Sequence, residues 1–74
     1  MENRIKNVMA AVFEISVEDI TDKTSPDTVQ LWDSLKHMQF IVALEEEFGI
    51  RFEDEEIVEM LNYALIKRIV STKV

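Results

Sequence analysis

Cysteine is absent from this sequence of 74 residues, and glycine and proline occur once each. Without cysteine there is no disulfide framework, no thiolate nucleophile and no cysteine-based zinc site, which fits a reducing compartment. With so little glycine and proline, the tight turns of β-hairpins lack the residues they need. The sequence therefore predicts neither a disulfide-rich secreted domain nor a hairpin-rich β protein.

Long apolar runs are also missing, since no stretch approaches the roughly 20 residues that a transmembrane helix requires. The first residues, Met1 to Arg4, lack the basic and then apolar order of a secretory signal. A chain of this size has little stability to spare for a deep catalytic cleft. We expect one cytoplasmic domain, residues 1–74, that is monomeric, does not span a membrane and is not an enzyme.

The net charge of −7 lies in one segment of the sequence. Residues 45–59, which we call the acidic segment, hold eight carboxylates against the single Arg51, while the rest of the chain has seven acidic and seven basic residues. Such a field repels nucleic acid and anionic lipid and attracts basic proteins, although charged helix faces also serve solubility alone. Because Glu53-Asp54-Glu55-Glu56 lacks the order of an EF-hand loop, no metal site is predicted.

Apolar residues recur at helical spacing in four parts of the chain. The pattern predicts a first helix from about Glu2 to Ile15 and a second from about Ser34 to Phe48, which Gly49 ends. Asp54 is expected to cap a short third helix, and Asn62 a fourth. The apolar positions of the first, third and fourth helices are Ile5, Val8, Met9, Val12 and Phe13; Ile57, Met60 and Leu61; and Leu65, Ile66, Ile69 and Val70. No strand pattern competes, so the expected fold is an all-α four-helix bundle.

The first loop, from Ser16 to Trp32, exceeds the about 2 to 8 residues of ordinary bundle connections. Its start, Ser16-Val17-Glu18-Asp19, resembles a capping box that begins one helical turn. Side chains expected to hold the loop against the helices are those of Ile20, Val29 and Leu31. The loop leads directly to Asp33-Ser34-Leu35, where a serine at a helix start presents its hydroxyl beside unpaired backbone N–H groups. This position favours a covalently attached phosphate.

The second helix carries two apolar stripes. The core stripe, within about 100° of the helix surface, is Phe40, Ile41, Leu44 and Phe48. The second stripe, centred roughly 135° away, is Leu35, Met38 and Val42. This second stripe either packs under the loop or another helix, or forms a docking surface ringed by Glu45 and Glu46. His37, at the edge of the core-facing arc, is interpreted as a partly buried packing residue, because no cysteine or second histidine completes a site with it.

Three runs of this sequence together resemble the acyl carrier proteins of fatty-acid and polyketide biosynthesis. They are Asp33-Ser34-Leu35, the segment Ile-Val-Ala-Leu-Glu-Glu-Glu-Phe-Gly-Ile from Ile41 to Ile50, and Asp54-Glu55-Glu56-Ile57. The resemblance spans nearly the whole chain and implies that Ser34 takes 4'-phosphopantetheine from coenzyme A through a phosphodiester. The thiol of this arm then carries acyl groups as thioesters, and the carrier itself catalyses nothing.

The resemblance also implies roles for neighbouring residues and for partners. Asp33 resembles the family's aspartate that helps bind the divalent metal used during loading, and it is also suited to cap the second helix. Leu35 belongs to the same site, and it begins the docking surface that Met38, Val42, Glu45 and Glu46 complete. The implied partners are a phosphopantetheinyl transferase and acyl-loading and acyl-processing enzymes with basic docking surfaces.

Several positions depart from the family's usual pattern. Leu31-Trp32 stands where a small pair commonly precedes Asp-Ser-Leu, and Lys36 and Gln39 stand where acids often follow. We expect Trp32 to pack at the junction of loop and helix or to contact the arm or a partner. Lys36 is expected to lower affinity for enzymes that dock on a uniformly acidic face, which indicates a specialised carrier rather than a housekeeping one.

Three questions stay open at the level of sequence. A carrier of aminoacyl, D-alanyl or peptidyl groups shares the fold and the serine arm. An acidic interaction module, in which Ser34 is only a helix cap, is an alternative from a different class. Finally, residues facing the gap between the second and third helices either line a cleft for an acyl tail or fill an ordinary core; they are Phe40, Leu44, Ile57 and Leu61.

Overall fold

The computed structural model describes all 74 residues, and its regular elements are all helical. The four α-helices are α1 (Glu2–Phe13), α2 (Ser34–Phe48), α3 (Asp54–Glu59) and α4 (Tyr63–Ser71). A single turn of 3₁₀ helix, Val17–Asp19, lies in the first loop. The predicted all-α fold with a long first loop and a short third helix is confirmed. None of these helices is both long and apolar enough to cross a bilayer.

Two predicted helix ends are confirmed by their hydrogen bonds. Gly49 adopts the left-handed conformation that glycine favours, at φ 64°, and its N–H donates to the Glu45 carbonyl. The Asn62 side chain accepts a hydrogen bond from the Leu65 N–H at 2.8 Å, as an N-cap does. Residues with a strong local preference for a cap therefore mark the end of α2 and the start of α4.

Three predicted boundaries differ from the structure. α1 ends at Phe13 rather than Ile15, because Glu14 turns into the left-handed region at φ 57° and donates its N–H to Ala10. The cap of α3 is Glu53 rather than Asp54, and the Glu56 carboxylate accepts the Glu53 N–H at 2.7 Å. The turn after Ser16 forms, but the Ser16 side chain makes no capping hydrogen bond. The backbone conformation of Glu14 thus ends α1 early, whereas α3 begins at a capping box formed by Glu53 and Glu56.

α3 is also shorter than its apolar pattern indicates. It has six residues and ends at Glu59, so Met60 and Leu61 lie in the connection to α4. Met60 is nevertheless fully buried, whereas Leu61 is half exposed. The connection therefore contributes to the core through Met60 and leaves Leu61 at the surface.

The hydrophobic core combines residues from α1, α2, α4, the long loop and the two connections that flank α3. Phe13 of α1 lies at its centre, with its ring stacked on Trp32 at 4.5 Å between centroids and tilted against Phe40 at 5.3 Å. Aromatic pairs at such distances add to the stabilisation from burial. The buried apolar residues are Ile5, Met9, Phe13, Ile20, Val29, Trp32, Phe40, Ile41, Leu44, Phe52, Met60, Tyr63, Ile66 and Val70.

The long loop is bound to the first turn of α4 by backbone hydrogen bonds. The Tyr63 N–H donates to the carbonyl of buried Thr24 at 3.0 Å, and the Ala64 N–H donates to the Asp22 carbonyl. Lys67 adds an ion pair with Asp22 at 3.2 Å. Because these N–H groups belong to a helix start, the loop supplies the acceptors that the helix itself lacks. The loop is thus an ordered part of the fold.

The predicted contacts of the loop are correct in two of three cases. Ile20 and Val29 are buried, but Leu31 is 39% exposed. Trp32 takes the inward position instead, with 5% of its surface exposed. The larger ring fills the space between α1 and α2, and the chain turns Leu31 outward just before α2 begins.

Candidate functional site

The start of α2 places an exposed serine hydroxyl beside free backbone donors. Asp33 is the N-cap: its Oδ1 accepts the Lys36 N–H at 2.9 Å and its carbonyl accepts the His37 N–H at 2.8 Å. Ser34 is the first residue of the helix and is exposed. The N–H groups of Ser34 and Leu35 have no acceptor within the protein. The start of α2 therefore combines an exposed hydroxyl with two backbone N–H groups that have no acceptor.

This arrangement fits a phosphate ester on Ser34. The exposed N–H groups and the positive end of the helix dipole both favour a negative group at this point. The Asp33 side chain uses one oxygen in capping, which keeps the first turn of α2 in place. The residues present thus suit the attachment of a phosphate-linked group without rearrangement of the helix.

Trp32 fixes the junction that precedes Ser34. Its ring stacks on Phe13 and meets Phe40 edge to face at 6.2 Å between centroids. Its indole N–H donates to Nδ1 of His37 at 3.0 Å. Trp32 therefore packs at the junction of loop and helix, which is the first of the roles expected for it.

His37 connects this junction to α3. Its Nε2 lies 2.9 Å from the carbonyl oxygen of Ile57. Because an indole nitrogen only donates, Nδ1 of His37 accepts from Trp32, and the ring proton on Nε2 is donated to Ile57. We call this chain of two hydrogen bonds from Trp32 through His37 to Ile57 the His37 bridge. His37 is partly buried, as predicted, but its link between two helices was not foreseen.

A shallow pocket of about 250 Å³ opens beside Ser34. Its lining includes Asp33 and Ser34 themselves, together with Pro26, Trp32, His37 and Leu61. Pro26 and Leu61 are far from Ser34 in the sequence, so no local pattern indicates that they share this site. The long loop and the connection after α3 bring them there.

The second stripe of α2 lies at the surface and does not pack under the loop or another helix. Leu35 is 67% exposed, Val42 50% and Met38 48%. Glu46 is exposed beside them. An apolar stripe of this kind next to Ser34 is available for contact with another protein.

Glu45 was expected to lie beside this stripe as one of two acidic neighbours, but its carboxylate is engaged elsewhere. Its side chain is only 16% exposed, and its carboxylate accepts the Phe52 N–H at 2.9 Å and lies 3.6 Å from Arg51. This carboxylate therefore holds the segment after α2 against the helix. Of the two predicted acidic neighbours of the stripe, Glu46 alone is free of such contacts.

The carboxylates of the acidic segment do not converge. No group of three histidine, aspartate or glutamate side chains is arranged to hold a metal ion. The pKa of Glu56 is lowered, first by the hydrogen bond from the Glu53 N–H and then by Lys73, whose Nζ lies 2.9 Å away. This carboxylate thus stays charged and ties α3 to the C-terminal end of the chain.

The four residues predicted to face the gap between α2 and α3 differ in burial. Phe40 and Leu44 are fully buried, Ile57 is partly buried, and Leu61 is 49% exposed at the rim. No pocket of the molecule is lined by Phe40 or Leu44. Phe40 and Leu44 therefore belong to the packed core, whereas Leu61 lines the pocket beside Ser34.

Comparisons with known proteins give a consistent result. The family sequence model described as "Phosphopantetheine attachment site" matches residues 3–69. The chain is 37% identical to an acyl carrier protein of Lactobacillus acidophilus over 54 residues, which are 73% of this chain and 68% of that protein. It is also 37% identical to an acyl carrier protein of Buchnera aphidicola subsp. Schizaphis graminum over 62 residues, 84% of this chain and 77% of the relative.

The fold matches a solved structure over nearly its full length. The solution NMR structure of the holo acyl carrier protein from Geobacter metallireducens superimposes with a TM-score of 0.86. The match covers 97% of this chain and 83% of that one, at 29% sequence identity. The sequence and fold comparisons therefore agree with each other, and the chain belongs to the acyl carrier protein family.

Proposed function

We propose, from the premise that this chain belongs to the acyl carrier protein family, that Ser34 is the residue that bears its 4'-phosphopantetheine group. The observation that carries this assignment is the exposed Ser34 hydroxyl at the first turn of α2, beside the free N–H groups of Ser34 and Leu35. When bound, the prosthetic group supplies the thiol that this cysteine-free chain lacks, and acyl groups are held on it as thioesters. The chain itself catalyses no reaction and presents its cargo to enzymes.

Asp33 serves two purposes in this proposal. One carboxylate oxygen accepts the Lys36 N–H and holds the first turn of α2. The residue is exposed and its second oxygen has no hydrogen-bond partner within the protein, which leaves it available to bind the divalent metal that a phosphopantetheinyl transferase uses. Asp33 therefore presents Ser34 to the loading enzyme as well as capping the helix.

The second stripe of α2 is the surface on which partner enzymes dock. Leu35, Met38 and Val42 supply exposed apolar area, and Glu46 supplies a carboxylate for a basic rim. Glu45 contributes less than expected, since its carboxylate is engaged by Phe52 and Arg51. Lys36 places a positive charge near Ser34, which weakens docking to enzymes selective for a uniformly acidic face and favours a specialised carrier. Such a protein acts in the cytoplasm as a single monomeric domain.

Intact-protein mass spectrometry tests the attachment. The purified chain is incubated with coenzyme A, magnesium and a broad-specificity phosphopantetheinyl transferase. We expect one phosphopantetheine mass increment on the native chain and none on Ser34→Ala. Ser16→Ala, an exposed serine in the loop, is the matched control and should still be loaded.

Two outcomes contradict the proposal. An increment that persists in Ser34→Ala places the group on another residue. If circular dichroism shows that the chain is folded and no increment is found, the carrier role is removed. The acidic interaction module is then the preferred function. Loading followed by acylation with different acyl and aminoacyl donors then identifies the class of cargo.

A further inference from the structure

We infer that Arg51 selects partner enzymes whose docking surface carries both signs of charge, because it lines a pocket at the end of the second stripe and there favours a carboxylate of the partner. The inference rests on the proposed function, in which the second stripe is the docking surface, and it deepens that proposal by naming the chemistry of the partner. A matching enzyme has a basic side chain opposite Glu46 and an acidic side chain opposite Arg51.

The pocket lies where α2 ends and the chain turns towards α3. Its volume is about 480 Å³, and its lining is formed by Val42, Glu45, Glu46, Gly49, Ile50 and Arg51. We call it the Arg51 pocket. Val42 and Glu46 also line the shallow cleft over the second stripe, together with Leu35 and Met38. The Arg51 pocket is therefore continuous with the docking surface, and a partner that covers Val42 and Glu46 reaches Arg51 as well.

Arg51 is the one basic residue of the acidic segment, and its charge is open to a partner. Its side chain is 91% exposed, and its one ion pair is with Glu45, at 3.6 Å from Nη1. This distance is too long for a hydrogen bond. A guanidinium has five N–H donors in a rigid plane, so Arg51 retains donors for an acceptor on another protein.

Glu45 compensates the charge of Arg51 only in part. Its Oε2 accepts the Phe52 N–H at 2.9 Å, and only Oε1 is directed towards the guanidinium. Ion pairs with such an exposed member contribute little. A partner at this end of the stripe therefore meets two separate charges, which are the cation of Arg51 and the free carboxylate of Glu46.

A partner surface that covers Arg51 must compensate its charge. A cation removed from water is destabilised unless an opposite charge or acceptors replace the water, and a like charge opposite it is repelled. A uniformly basic surface therefore gains at Glu46 and loses at Arg51. A carboxylate on an apolar stem fits better, because Val42 and Ile50 lie beside the guanidinium and arginine binds carboxylates through two parallel N–H groups.

Arg51 is too far from Ser34 to act on the loading reaction itself. α2 has 15 residues, which corresponds to a length of about 22 Å. Ser34 is at its start, and Arg51 lies two residues beyond Gly49 at its other end. At physiological salt, exposed charges are screened over about 8 Å. A change at Arg51 should therefore alter the KM of a partner for this carrier and leave kcat unchanged.

The kinetics of loading test this role. The probe is a broad-specificity phosphopantetheinyl transferase with a basic docking surface, and mass spectra give the rates. We expect Arg51→Gln to lower the KM for the carrier about threefold and Arg51→Glu about tenfold, at unchanged kcat, because no cation then faces the basic surface. Arg51→Lys keeps the charge and should resemble the native chain.

Arg68 provides the matched control. It is an exposed arginine of α4 that lines none of the pockets. Arg68→Gln and Arg68→Glu change the net charge by the same amounts as the Arg51 variants. They should alter KM by less than about twofold, because the change lies outside the docking surface. Equal effects at Arg51 and Arg68 reveal a response to net charge alone and overturn the inference.

An exchange of charges across the interface tests the preferred partner. Each basic residue on the docking surface of the transferase is replaced in turn by glutamate, and every variant is assayed with the native carrier and with Arg51→Glu. We expect at least one of these transferases to load the native carrier with a KM about threefold below that of the unmodified enzyme. This advantage should disappear with Arg51→Glu, because the pair of opposite charges is then lost.

The outcomes separate the inference from the proposed function. If no glutamate variant of the transferase favours the native carrier over Arg51→Glu, the inference is wrong, while loading at Ser34 leaves the proposed function intact. If neither the native chain nor its variants are loaded, the proposed function fails and the inference with it. Circular dichroism verifies each fold; should Arg51→Glu unfold through repulsion from Glu45, the comparison of Arg51→Gln with Arg51→Lys and Arg68→Gln decides.

Discussion

The core stripe and the second stripe of α2 consist of similar side chains but have opposite environments. Phe40, Ile41 and Leu44 are buried, whereas Leu35, Met38 and Val42 are between 48% and 67% exposed. α1, α4 and the long loop cover one side of the helix, and no element of this chain covers the other. Both stripes are apolar and follow the helical repeat, so the sequence pattern does not distinguish them. The packing of the other elements decides which stripe is buried and stabilises the fold.

The largest effect expected from this comparison is on the free energy of unfolding. Phe40→Ala should lower it by about 3 to 5 kcal/mol, because a buried ring is replaced by a cavity. Met38→Ala, on the exposed side of the same helix, should change it by no more than about 0.5 kcal/mol. Urea unfolding followed by circular dichroism measures both values. Comparable losses in the two variants are incompatible with the observed burial.

The junction between loop and α2 provides an intermediate effect. Trp32→Phe keeps a ring against Phe13 but removes the indole N–H that His37 accepts. The unpaired Nδ1 of His37 should cost about 1 to 3 kcal/mol of unfolding free energy. Leu31→Ala, the exposed neighbour, is the control and should be nearly neutral. An unchanged stability of Trp32→Phe in urea unfolding means that the hydrogen bond to His37 contributes nothing.

A smaller effect distinguishes the two roles of Asp33. Asp33→Ala removes the cap of α2 and should cost about 1 kcal/mol, while Asp33→Asn retains a capping oxygen and should cost little. Both variants remove the carboxylate, so both should be loaded more slowly by the transferase in a time course of mass spectra. If Asp33→Asn is loaded at the native rate, the residue is only a helix cap.

A further loss of stability is expected only at alkaline pH, and it concerns a core residue that titrates. Burial raises the pKa of Tyr63 to about 12, and the nearby carboxylates of Glu2 and Asp22 add to this shift. The folded state therefore holds the phenol proton more tightly than the unfolded state, whose pKa is near 10. This contribution is complete below pH 10 and should be lost as the pH rises from about 10 to 12.

Chemical unfolding at a series of alkaline pH values measures this loss. Tyr63→Phe has no group to titrate, so its stability should fall less steeply over the same interval. The second stripe contains no titratable side chain, and Met38→Ala should follow the native curve. Parallel curves for the native chain and Tyr63→Phe contradict a raised pKa for this tyrosine.

The α2 helix shows how far local patterns extend. The start of α2 at Ser34, its cap at Asp33 and its end at Gly49 follow from residue preferences that act within one turn, and the structure agrees. The cap at Glu53 is a local pattern that the sequence reading missed, because its side chain and that of Glu56 accept each other's backbone N–H groups. The early end of α1 at Glu14 instead depends on a left-handed backbone conformation that is uncommon for glutamate. Local sequence therefore predicts a boundary well where one residue type dominates the choice of conformation.

The pocket beside Ser34 is a feature that local sequence patterns do not predict. Pro26, His37 and Leu61 meet there from three separate segments. The partner of His37 is a backbone carbonyl of α3, and a carbonyl carries no sequence signal. Leu31 and Trp32 are adjacent and both apolar, so periodicity within the loop did not determine which of them points inward.

The amino-acid sequence by itself determined the four helices, the exposed serine at the start of α2, the concentration of negative charge in residues 45–59 and the membership of a carrier family. These features depend on periodicity, capping and residue type, which act over short distances along the chain. Only the tertiary structure decided that Trp32 is buried while Leu31 is exposed, that the Glu45 carboxylate is engaged by Phe52, and that His37 joins α2 to α3. Those features depend on which distant segments pack together, and close packing of large side chains has no signature within any single segment.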